Sequence, residues 1–183
     1  MREAIDLIGL NERHTTSNHN TCFGGQYIRY LMDKSAVFLR LYRLKETLSI
    51  ARAALGPQVQ FDQVDARIVP AGVANVRVPW HTHLRVIPRP LPPFFCYPHA
   101  IHCLLYLDSI DEHNGPLCVL PGSHKKLNEI YDEGGYEDKS GQVLPLIEEG
   151  DCLLIHGNLW HRTLPSKDTA GTRRLIIFGY MAS

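Results

Sequence analysis

No stretch of the chain approaches the roughly 20 continuous apolar residues that a membrane-spanning helix needs, so a membrane partner is not expected. An excess of one charge is missing too. Nineteen basic and nineteen acidic residues cancel, leaving no net field to draw in nucleic acid or anionic lipid, and any charged ligand must be held by local groups. There is no CxxC pair. The five cysteines, Cys22, Cys96, Cys103, Cys118 and Cys152, are odd in number and three of them sit in apolar runs, which suits reduced thiols and excludes a disulfide framework. The amino terminus carries Glu3 and Asp6 with no apolar h-region, so it does not read as a signal peptide and a cytoplasmic location is expected. Internal repeats and low-complexity tracts are absent. What remains is 183 residues, 44% hydrophobic and 21% charged, an ordinary composition for one domain spanning 1–183 with a sizeable core.

Within that domain, residues 1–25 show little periodicity and end in a polar, glycine-containing stretch, which reads as an irregular lead-in. Residues 26–56 change character. Ile28, Leu31, Met32, Ala36, Leu39, Leu44, Leu48 and Ala51 recur at three- and four-residue intervals until Gly56-Pro57 stops them, which predicts one or two amphipathic helices that cover a sheet. From residue 57 the period switches to two. Strands are predicted at 58–69, 76–86, 101–108, 116–120, 151–156 and 173–181, with loops at 70–75, 87–98, 109–115, 121–149 and 162–172. No helical pattern lies between the late strands, which rules out a βαβ arrangement. Many short strands preceded by helices predict a mainly β, cupin-like jelly roll, a double-stranded β-helix braced by N-terminal α-helices. The loop 121–149 is long enough to hold a short helix near Lys125 to Tyr131 or to act as a lid.

Two stretches carry the chemistry. In Pro79-Trp80-His81-Thr82-His83, residues 81 and 83 leave the same face of a strand, so two imidazoles converge while Thr82 points away. A third nitrogen is needed for an open metal site, and His161, reached through the apolar run Cys152–Ile155, is the best candidate. Three histidines of this kind predict a metal-dependent oxygenase. Trp80 and Trp160 each precede a ligand candidate and are read as packing the metal strands.

Trp80-His81-Thr82-His83-Leu84, Leu105-Tyr106-Leu107-Asp108, Asn114-Gly115-Pro116-Leu117-Cys118-Val119-Leu120-Pro121-Gly122-Ser123-His124-Lys125, Gly150-Asp151, His156, His161 and Arg173-Arg174 together resemble the phytanoyl-CoA dioxygenase family. The resemblance covers roughly residues 40 to 181 and is most specific in the Asn-Gly-Pro-Leu to Pro-Gly-Ser-His-Lys block. It implies a non-haem Fe(II), 2-oxoglutarate-dependent oxygenase that hydroxylates a small organic substrate with O2. The family pattern, His-x-Asp followed by a distant His, falls on His81, His83 and His161, so a histidine stands where the family has its carboxylate ligand. Three outcomes stay open at that point: a working three-histidine iron centre, another metal such as Zn(II), or a non-catalytic metal or ligand-binding relative. The bulk of His83 gives little support to a halogenase, in which a small residue frees that position. By the same resemblance Arg173, twelve residues after His161, pairs with the distal carboxylate of 2-oxoglutarate, for which a guanidinium fork is suited. Arg174 is the alternative, on the opposite strand face. Gln63, on the strand before the metal strand, is placed at the other carboxylate end.

The remaining candidates have plainer readings. His14 and His19 fall in the lead-in, His113 in a turn, and His124 in the Pro-Gly-Ser turn at the barrel mouth. His99 and His102 line the pocket or pack, and His156 is more often a satisfied core histidine than a ligand. Asn114-Gly115-Pro116 reads as a hairpin turn. The proline- and aromatic-rich stretch from Pro88 to Tyr97 forms a stiff rim suited to a small, partly apolar substrate, with Arg85 or Arg89 available to an acidic group.

Overall fold

The computed structural model describes residues 1–15, 21–22, 24–83, 90–126, 128 and 135–183. Two antiparallel sheets face each other. The large one takes β1 (Thr21–Cys22), β2 (Gly25–Ile28), β3 (Val59–Val69), β5 (Ala100–Tyr106), β7 (Cys152–His156) and β9 (Arg173–Ala182) in the order β1-β2-β3-β9-β5-β7. The small one takes β4 (Val78–His81), β6 (Leu117–Val119) and β8 (His161–Thr163) in the order β4-β8-β6. This is the jelly roll that the strand pattern predicts. Helices α1 (Arg2–Thr15), α2 (Leu31–Lys34) and α3 (Lys45–Leu55), with a 3-10 helix at Ala36–Arg43, pack on the outer face of the large sheet.

Period-two alternation divides the side chains between three layers. On the outer face, Cys103, Ile176, Phe178 and Tyr180 meet Ile5, Leu31, Phe38, Leu41 and Ala51 from the helical layer. Between the sheets lie Leu104, Tyr106, Leu117, Val119, Ile147 and Ile155, with Leu175 and Ile177 packed against them. Behind the small sheet, Trp80, Cys118 and Trp160 form a third cluster, which fits the packing role expected of both tryptophans.

Three expectations need correction. The lead-in begins with a 14-residue helix, α1. Met1, Ala4, Ile5 and Ile8 put a helical stripe on the core, which the exposed Leu7 and Leu10 obscure in the sequence. The 26–56 region is helical only in part, because it opens in strand β2 and its middle is a 3-10 helix. His161 is not an extension of the strand 151–156. That strand belongs to the large sheet, and the chain turns through Gly157–Trp160 to start β8 in the small one. The tail of the predicted strand 76–86, most of the predicted helix at Lys125 to Tyr131, Pro88, Arg85, Arg89 and His19 lie outside the described residues. Among the described residues, no helix is long and apolar enough to cross a membrane.

Candidate metal centre

β4 and β8 are adjacent, and His81 lies directly across from His161 in their register. The register shifts between Val78 and His81. Such a bulge re-aims side chains, so Trp80 turns outward into the third cluster while Val78 and His81 both reach the cavity between the sheets. The two rings lie 4.1 Å apart between centroids. Nδ1 of His81 is 2.8 Å from the Pro79 carbonyl oxygen and Nδ1 of His161 is 2.9 Å from that of Leu159. A carbonyl only accepts, so each Nδ1 carries the proton and each Nε2 is left as the electron-pair donor. This is the orienting contact that metal-binding histidines use. His83 follows just beyond the end of β4, its backbone N–H donating to the Gly157 carbonyl at 3.1 Å. Its ring is 5.6 Å from that of His81 and 4.9 Å from that of His161.

One ligand nitrogen from each of the three histidines lies within 4.8 Å of the others. Two nitrogens bound to one ion at about 2.1 Å each stand at most about 4.2 Å apart, so a small ring rotation closes the set on a metal. The three donors expected from the sequence are therefore brought together, and no carboxylate joins them among the described residues.

The cavity beside His81 and His161 measures about 270 Å³ and is walled by Leu104, Tyr106, Leu117, Leu175 and Ile177. Arg173 enters it, only 4% exposed. Its guanidinium donates to the carbonyl oxygens of Asn114, at 2.9 Å, and Gly115. Burial, and secondarily Arg67, pull its pKa down to about 10, so it stays charged at neutral pH. Among the described residues no aspartate or glutamate lines this cavity. The Asn-Gly-Pro turn thus does more than connect strands. Gly115 has a φ of +75°, and a Cβ on it would stand 2.6 Å from Arg173 Nη1. Arg174, on the other strand face, ion-pairs with Asp6 at 2.7 Å and Asp108 at 3.0 Å. That separates the arginine doublet: residue 173 faces the cavity and residue 174 ties the sheet to α1.

Gln63 is not brought to the cavity. It sits at the register shift between Asp62 and Val64 of β3 and is exposed. Arg67 of the same strand lines the cavity instead, together with Tyr27, Arg29 and Thr163. His156 stands apart from the three donors, its ring 4.8 Å from that of His124 and 6.2 Å from that of His99. Its Nδ1 accepts the Asn158 backbone N–H at 3.0 Å. Burial lowers the pKa of all three, that of His156 to about 4.

A family model for phytanoyl-CoA dioxygenase (PhyH) matches residues 1–175. The chain belongs to the phytanoyl-CoA dioxygenase family. Among curated proteins it is 31% identical to human peroxisomal phytanoyl-CoA dioxygenase over 121 residues, covering 58% of this chain and 34% of that protein. It is 24% identical over 159 residues to dioxygenase af480 of Aspergillus fumigatus, covering 84% of this chain and 47% of that one. The chain thus spans less than half the length of these relatives. Among solved structures, HygX of Streptomyces hygroscopicus with nickel and 2-oxoglutarate bound superposes at a TM-score of 0.72 with 16% identity, covering 99% of this chain and 79% of HygX. Apo EctD from S. alaskensis gives 0.69 with 21% identity, covering the whole chain and 70% of EctD. These structures share the fold of this family member.

Proposed function

We propose that this member of the phytanoyl-CoA dioxygenase family is an Fe(II)- and 2-oxoglutarate-dependent dioxygenase that hydroxylates a small organic molecule. The observation that carries this reading is the pairing, in one cavity, of His81 and His161, with His83 beside them, and a buried Arg173 that no carboxylate among the described residues of the cavity wall neutralises. His81, His83 and His161 would hold the metal on one face and leave other positions for co-substrate and O2. Arg173 would grip the distal carboxylate of 2-oxoglutarate, with Gly115 giving its guanidinium room. The apolar walls Leu104, Leu117, Leu175 and Ile177 would exclude water from the reacting centre. Bound iron with 2-oxoglutarate supplies oxidising power for a C–H bond that protein side chains alone do not have. HygX binds nickel with 2-oxoglutarate, in one structure together with hygromycin B, which supports a small-molecule substrate. Cys96, Cys103, Cys118 and Cys152 are unbridged, which suits a cytoplasmic enzyme.

His83 favours one second reading, an altered-metal or non-catalytic binding protein. A neutral imidazole in place of a carboxylate leaves the metal one unit more positive, which strengthens its hold on an anionic co-substrate and weakens its hold on the cation itself. Anaerobic addition of Fe(II) and 2-oxoglutarate separates the readings. A metal-to-ligand charge-transfer band, and succinate release once O2 is admitted, are expected for the oxygenase. If both are absent in the native protein and appear in His83→Asp, the binding-protein reading replaces it.

A further inference from the structure

The three donor histidines have different surroundings. His81 and His161 lie on paired strands and each has its Nδ1 on a carbonyl two residues back. His83 lies just past the end of β4, its backbone N–H donating to the Gly157 carbonyl at 3.1 Å. Its ring meets that of His102, centroids 3.9 Å apart and planes at 81°, an edge-to-face contact. His102 comes from β5, which is hydrogen-bonded on both sides, to β7 and to β9, and it is 6% exposed. Its partner across to β9 is Gly179. A Cβ there would stand 3.5 Å from His102 Nδ1, in ordinary van der Waals contact, so the imidazole lies close against the backbone of β9.

We propose that His102 is a positioning residue of the metal centre, its ring backing His83 from the large sheet and holding that imidazole in its ligating orientation. The assignment rests on the three-histidine metal centre proposed above. Outer partners that orient a ligating imidazole are part of a metal site, and loss of such partners typically weakens metal binding ten- to a hundredfold. Aromatic edge-to-face contacts favour one ring orientation over others.

Cu(II) loading tests this without turnover, by the nitrogen pattern in electron paramagnetic resonance and by competition titration of affinity. Wild-type protein is expected to show three coordinating nitrogens. His102→Ala should lose one nitrogen and bind about ten- to a hundredfold more weakly, whereas His102→Phe, which keeps an aromatic edge, should restore the three-nitrogen pattern. Should the alanine variant fail to fold, His102→Leu, which fills the space without a ring, carries the same expectation. In a cycle with His83→Ala, the double variant should bind no more weakly than His83→Ala alone. Three nitrogens at wild-type affinity in His102→Ala or His102→Leu, or a further loss in the double variant, overturns the assignment while leaving the metal centre standing. Wild-type protein that binds no Cu(II) through these nitrogens overturns the metal centre and the role of His102 together.

Discussion

Arg173→Ala is the perturbation that bears most directly on the proposed co-substrate. Nη1 of Arg173 is spent on the Asn114 and Gly115 carbonyls, which leaves Nη2 and Nε to meet a carboxylate. Truncating one partner of a buried hydrogen-bonded charge pair typically costs 2–5 kcal/mol. The cavity also reaches the exposed Arg29, so the lower part of that range applies, about 2–4 kcal/mol. At 1.4 kcal/mol per decade this is a loss of about thirtyfold to several hundredfold in 2-oxoglutarate affinity. Arg173→Lys keeps the charge and loses the fork, so a loss of about tenfold is expected. The assay is anaerobic calorimetry of 2-oxoglutarate on the Fe(II)-loaded protein, with metal content measured in parallel and expected to be unchanged. Arg174→Ala is the control. Its partly exposed pairs with Asp6 and Asp108 are worth about 1 kcal/mol, a fall in Tm of about 2–4 °C, with 2-oxoglutarate affinity unchanged. Equal affinity losses in the two variants, or none in Arg173→Ala, would refute the placement of the co-substrate.

Two further outcomes follow from the same contacts. Gly115→Ala puts a Cβ on a residue at φ +75° and within 2.6 Å of Arg173 Nη1, so about 2 kcal/mol of stability, or 4–8 °C in Tm, should be lost together with part of the 2-oxoglutarate affinity. The folded state holds the pKa of His156 at about 4, below its ordinary 6.5, with His99 and His124 also lowered. The unfolded chain therefore takes up protons first as pH falls, and metal-free protein should keep full stability above about pH 6.5 and lose it progressively towards pH 4. Thermal melts from pH 7.5 to 4.5 check this, and His156→Gln should flatten the slope by about one proton's share.

The strands that carry the fold could be read from period-two alternation. β3, β5, β6, β7 and β9 all lie within one or two residues of their predicted ends, because each has one face on a core. β8 could not. Three residues, His161–Thr163, are too few to show a period, and without that strand Thr163 could not be seen to share the cavity face with His161. α1 was hidden for a different reason. Its core-facing stripe, Ala4, Ile5 and Ile8 continued from Met1, is interrupted by Leu7 and Leu10 facing outward, so the apolar residues show no clean period. Gln63 was misplaced by the register shift beside it, which alternation alone does not reveal.

The candidate site shows the same boundary between local and long-range information. His81 and His83 are two residues apart, so their shared direction is a property of one short stretch. The approach of His161 depends on the pairing of β4 with β8, and the position of Arg173 depends on how far the large sheet stands from the small one. A doublet such as Arg173-Arg174 makes the point sharply. Alternation says that one of the two faces inward, but only the Asp6 and Asp108 carboxylates on the outer side, and the carbonyls of the Asn-Gly turn on the inner side, decide which. His102 is the extreme case. It is 19 residues from His83 in sequence and on the opposite sheet, and only the packing of β5 against the end of β4 turns an ordinary core histidine into the neighbour of a metal ligand candidate.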